Sequence, residues 1–132
     1  MTKIVLAFYN FVHLQNPQEE KEKPIFFKNI ETVIVTGQID KKSAEFPYAI
    51  TTRGSKHLIK LAESIKKGYK PFVLFLTQIE GINKFKIAKD IDAEYYKNYL
   101  KVKKIGVKFL AYRCKLNDKE IKIEKKIDII DD

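Results

Sequence analysis

Between Thr52 and Thr77 the sequence changes its hydrophobic period once, and that change limits what the chain can fold into. Within residues 52–67, Leu58, Leu61, Ala62 and Ile65 recur at helical spacing and form one apolar stripe. Thr51 or Thr52 can cap the first amides, and Gly68 stands where a left-handed residue would end the helix. Lys66 and Lys67 lie at the end where the helix dipole favours cations. Residues 71–77, PFVLFLT, follow at once, and Val73 to Leu76 present no polar face. A helix running directly into a short, fully apolar strand is the signature of an α/β unit.

The rest of the chain fits around that unit. Residues 3–11 read as a first strand, and residues 15–24, QNPQEEKEKP, as a solvated loop. Residues 25–27 and 32–36 form one interrupted strand or two before Gly37, and Asp40-Lys41-Lys42 is a turn leading to Phe46-Pro47. In the connection after Thr77, Phe85 and Ile87 alternate with lysines as a short edge strand would. Asp92 can cap a second helix over residues 93–105, with Tyr95, Tyr99 and Val102 on its apolar stripe and Gly106 as its stop. Residues 107–114 are a strand, Asn117-Asp118 a turn, and residues 120–124 an exposed hairpin partner. The expected architecture is one α/β domain over residues 1–132, a mixed β-sheet flanked by helices.

Composition narrows the function classes. The 132 residues carry a formal charge of +9 with a hydrophobic fraction of 45%, enough for one domain with its own core. The basic excess leans toward the second half, where 16 Lys and Arg face 10 acidic residues from Lys67 onward. Such a surface suits an anionic partner such as DNA, or serves solubility alone. Cys114 is the only cysteine, which excludes an intramolecular disulfide and points to a reducing, cytoplasmic setting. With only His13 and His57 besides, no zinc motif can be assembled. No apolar run approaches the roughly 20 residues of a membrane span, so no membrane partner is expected.

The first helix carries the sharpest functional signal. Arg53, His57 and Lys60 recur on a stripe away from the apolar one, with Lys56 beside them. Arg53 precedes Gly54 at the helix start, where free amides and the dipole favour an anion, and a guanidinium there can add a bidentate phosphate contact. Lys56, His57 and Lys60 would extend that contact along a DNA backbone. The competing account ties Arg53 to an internal carboxylate, gives Gly54 a close-packing role and makes His57 a surface or packing residue. Gln78 closes the buried strand where open α/β sheets gather functional groups, and a strand-end hydrogen bond explains it equally well. Arg113 calls for a structural ion pair, Cys114 for a small buried hydrophobe, and Tyr95, Tyr96 and Tyr99 for core packing before base stacking.

Four separated blocks, FPYAITTRGSKHL, LFLTQ, IDAEYY and GVKFLAYRC, occur in an order that resembles the C-terminal domain of the sugar fermentation stimulation protein family, over residues 46–129. Thr51, Arg53-Gly54, Lys56-His57-Leu58, Gln78, Ile91-Asp92, Tyr95, Gly106-Val107 and Leu110 to Cys114 carry the match. The resemblance implies a PD-(D/E)xK, restriction-endonuclease-like fold behind an OB-like domain, DNA binding, and metal-dependent phosphodiester hydrolysis. With nothing ahead of Met1 to form it, the OB-like domain is expected to be absent or supplied by a separate protein partner.

The chain also departs from that pattern. Tyr48 stands where an acidic residue is usual, and neither the metal-binding Asp strand nor the Glu-Val-Lys strand occurs cleanly. Lys28 is the nearest counterpart of the catalytic lysine, which puts Phe26 where the glutamate belongs. Glu31 and Glu45 are the available metal-ligand candidates, but Val33 occupies the lysine position relative to Glu31. Glu19 with Lys21 and Asp40 with Lys42 match acid-x-Lys literally, and both read better as solvated turn charge.

The resulting expectation is a DNA-binding nuclease-like domain with a degenerate catalytic centre that needs no cofactor to bind. One alternative is a phosphodiesterase using Mg2+ or Mn2+ on carboxylates of the N-terminal segment. Another is a non-catalytic interaction or structural domain.

Overall fold

A computed structural model describes residues 30–116 and 121–132. The chain runs β1 (Ile30–Ile34), β2 (Gly37–Gln38), β3 (Ser43–Phe46), α1 (Thr52–Ile65), β4 (Phe72–Thr77), β5 (Lys84–Ile87), α2 (Ala93–Ile105), β6 (Lys108–Leu116) and β7 (Ile121–Ile130). Seven strands form one curled mixed sheet in the order β1-β4-β6-β7-β5-β3-β2. β1, β4 and β6 are parallel, as are β7, β5 and β3, and β6 meets β7 antiparallel.

β4 is buried at all six positions because both of its faces are covered. Val73 and Phe75 enter the main core, with Leu58 and Ala62 of α1 and Tyr95, Tyr99 and Val102 of α2. Phe72, Leu74 and Leu76 pack on the opposite face with Tyr112 and Cys114. That double burial is why the strand reads as a continuous apolar run. Burying one such Leu or Phe contributes about 1.5–3 kcal/mol, so β4 anchors the fold.

Both helices begin on the residues their sequences mark, and α2 also ends on its own. Thr51 caps α1, with its Oγ1 accepting the Gly54 N–H at 3.0 Å. Asp92 caps α2, and Gly106 stops it at a φ of 134°. Such a backbone angle is cheap only without a Cβ. α1 ends two residues earlier than expected, at Ile65.

Two expectations need correction. β5 is interior, parallel to β3 on one side and β7 on the other. Its lysines suggested an edge, yet Phe85 and Ile87 both belong to the main core. β7 is longer than an exposed hairpin partner and central. Residues up to Ile127 pair with β6, and Asp128 to Ile130 pair with β5, so one strand joins the two halves of the sheet. Residues 3–11 and 15–27, Lys28 and the Glu19–Lys21 pair lie outside the described residues.

Candidate nucleic-acid interface

α1 and α2 meet at their amino ends, where Arg53 and Lys56 begin the basic stripe that Lys60 continues along α1. One buried carboxylate builds this junction. Asp92, only 4% exposed, accepts the Tyr95 N–H on Oδ1 at 3.0 Å, which caps α2. Its Oδ2 accepts the Thr51 N–H at 2.8 Å, across 41 residues of sequence. Because Thr51 is the cap of α1, Asp92 fixes the starts of both helices. A buried carboxylate is tolerated there because backbone donors meet both of its oxygens.

Gly54 lets the two helices approach. A Cβ at that position would come within 3.1 Å of Tyr95 Cε2 and 3.0 Å of the Thr51 side chain. Tyr95 is buried and sits edge-on to Phe46, with ring centroids 5.3 Å apart. Burial first, and then the charges of Glu31 and Asp92, push its phenol pKa far above the usual value, so the hydroxyl keeps its proton. Close packing therefore accounts for Gly54, as one of the two readings of the sequence had it.

Glu31 of β1 and His57 of α1 meet at the same junction, Nδ1 against Oε1, both partly buried. Arg53, Lys56 and Lys60 are exposed along α1 and form no ion pair among the described residues. The first turn of α1 holds no acidic residue.

The other candidates belong to other elements. Glu45 is half-buried on β3, opposite Gly37 of β2 and next to Phe46, whose ring meets Tyr95. Among the described residues, no three His, Cys, Asp or Glu side chains converge as a metal site would require. Gln78 is exposed just past β4. Asp40 accepts the Lys42 N–H at 2.8 Å, and that bond holds its carboxyl below the usual range, as a turn residue. Arg113 donates to the Ile82 carbonyl at 3.0 Å and pairs with Glu124 at 3.8 Å, the structural partner its burial called for.

Two features escaped the sequence reading. The tie between Asp92 and Thr51 has no local signal, since only the packing of α1 on α2 brings the two together. The second is another basic stripe on α2, formed by the exposed Lys97, Lys101 and Lys104. Their i, i+4, i+7 spacing was visible and could have found it.

No helix among the described residues is long and apolar enough to cross a membrane. The family model described as "Sugar fermentation stimulation protein RE domain" matches residues 16–120. A sugar fermentation stimulation protein homolog from Pelagibacter ubique is 61% identical over 111 residues, covering 84% of this chain and 47% of that protein. The homolog from Shewanella loihica is 34% identical, covering 81% of this chain and 44% of its own length. The chain thus spans about half the length of the curated relatives it matches. Among solved structures, Pyrococcus furiosus SfsA in complex with Ca2+ superposes with a TM-score of 0.66 at 20% identity, covering 76% of this chain and 44% of that one. That likeness establishes a nuclease-like α/β fold. By the family match and the relatives it shares, the chain belongs to the sugar fermentation stimulation protein family.

Proposed function

We propose that this chain is a DNA-binding domain of nuclease-like fold that holds the phosphate backbone through α1 and has a degenerate catalytic centre. One observation carries the reading. Arg53, Lys56 and Lys60 stand side by side, exposed and without an ion-pair partner among the described residues, from the amino end of α1 onward. Phosphates suit that position, because the free amides and the dipole of a helix start add to the side-chain charge. The degenerate centre is drawn from the sequence, where Phe26 stands at the glutamate position and Val33 at the lysine position relative to Glu31.

The second reading is a divalent-metal-dependent phosphodiesterase, and the Ca2+ bound by the solved relative favours it. The described residues do not fit a metal by themselves. This reading draws on Glu31 together with carboxylates of the segment before Ile30.

A labelled duplex titrated with the protein across a salt series, with and without Mg2+ or Mn2+, tests both readings on one gel. The expected result is salt-sensitive retention of intact DNA in every lane. Metal-dependent cleavage lost in Glu31→Gln would transfer the function to the second reading. No retention at low salt would end the first.

A further inference from the structure

The loop that leads into α1 is pinned at both ends and exposed in between. Phe46 packs its ring against Phe75 and Tyr95, and its carbonyl accepts the Ala88 N–H at 2.8 Å. Pro47 is buried next to it, and at the other end Asp92 holds the Thr51 N–H. Between these anchors Tyr48, Ala49 and Ile50 are all exposed. Tyr48 is 68% and Ile50 78% exposed, the highest values of any large apolar side chain among the described residues. One exposed isoleucine needs no explanation. Two large apolar groups on a single three-residue tip, followed at once by the cations of α1, call for one.

We propose that this tip is a wedge for DNA, with Ile50 entering between two adjacent base pairs and Tyr48 beside it while Arg53 and Lys56 hold the neighbouring phosphates. The inference rests on the DNA-binding reading above. Reach allows it, because the three residues from Ile50 to Arg53 span at most roughly 11 Å, about three base steps of 3.4 Å. Ile50 and Lys56 also border the same cleft between the helix starts. Isoleucine is one of the side chains that open base steps, and a single one suffices for a kink. The pinned ends favour insertion, since a tip already held in place has little freedom left to lose. Other partners for an apolar tip among cations fit less well. Ile50 and Tyr48 together carry fewer apolar carbons than one myristoyl chain, which alone gives only marginal membrane binding. A second copy would bring its own Arg53 and Lys56 against these, a like-charge contact that opposes association.

Two duplexes of equal length and charge test this, one fully paired and one with a single central mismatch, where the cost of unstacking is lower. The protein should bind the mismatched duplex about tenfold tighter, and dyes on the ends of the paired duplex should report a bend of roughly 20–90° on binding. Ile50→Ala should erase most of the preference and of the bend while leaving the salt slope unchanged, and Tyr48→Ala should reduce both by less. Because both side chains are exposed, the melting temperature of each variant should stay that of the parent. Equal affinity for the two duplexes would overturn the proposal, as would a preference or a bend that survives Ile50→Ala. Sedimentation with anionic vesicles that is lost in Ile50→Ala, alongside equal affinity for the two duplexes, would overturn it in favour of a lipid surface. Absence of salt-dependent binding to either duplex would instead refute the DNA-binding reading beneath it.

Discussion

The two helices each carry a stripe of three exposed cations, Arg53, Lys56 and Lys60 on α1 and Lys97, Lys101 and Lys104 on α2, yet the stripes differ in what explains them. On α2 the charges run toward the carboxyl end, and Lys104 lies in the last turn, where the dipole favours cations. Neighbouring Lys103 is already engaged with Asp131 at 2.6 Å. On α1 the stripe begins in the first turn, where a cation works against the dipole and no acidic residue compensates. Helix stability accounts for Lys104 and not for Arg53. A charge in a place that costs stability is a better sign of a ligand than net charge of +9 spread over the chain.

The comparison breaks most sharply at Asp92, which holds the α1 end in place. Asp92→Ala removes the cap of α2 and strands the buried Thr51 N–H, and should destabilise the protein by about 2–3 kcal/mol in urea denaturation. Asp92→Asn keeps one acceptor oxygen and should cost roughly half as much. A loss below about 0.5 kcal/mol for the alanine variant would mean that the junction is held by packing alone.

Asp131 sharpens the comparison from the α2 side. Its carboxylate accepts from Lys103 and from the Tyr99 hydroxyl, each at 2.6 Å, and these bonds hold its pKa below the ordinary 3.8. A depressed folded pKa gives stability that is complete above the unfolded value and lost as pH falls through the folded one. Urea midpoints should therefore decline below about pH 4, and Asp131→Asn should remove that part of the decline. Solvent screening at this partly exposed site keeps the effect under about 1 kcal/mol. DNA affinity should not change, since the pair belongs to the α2 end.

The smallest expected effect separates stability from function most cleanly. Arg53→Glu places a carboxylate where the dipole favours one, and should raise stability by about 0.3–1 kcal/mol while weakening DNA binding. Thermal melts and binding isotherms on the same preparation would reveal the opposed signs. A variant that loses stability would point to a structural tie for Arg53.

The sequence disclosed most of this where the signal is local. Asp92, Tyr95, Tyr99, Val102 and Gly106 define α2 to the residue because caps and apolar spacing act within a few positions. The apolar run of β4 reported its own burial on both sides of the sheet. β5 was misjudged as an edge because Lys84 and Lys86 alternate with Phe85 and Ile87, a pattern that records which face is wet, not how many neighbours a strand has. The junction was legible only in part. Thr51 and Asp92 each showed as a cap, but their bond, like that of Glu31 with His57, depends on packing between distant segments.

Paired charge reversals, measured as duplex affinity across a salt series, test the central claim most directly. Arg53→Glu with Lys56→Glu should lower affinity at low salt at least about tenfold and flatten the salt slope by about 2. Lys97→Glu with Lys101→Glu changes net charge equally and should lower affinity only about two- to threefold, through the general field. Equal losses from the two pairs would contradict the account, leaving the α1 stripe no more than a share of a basic surface.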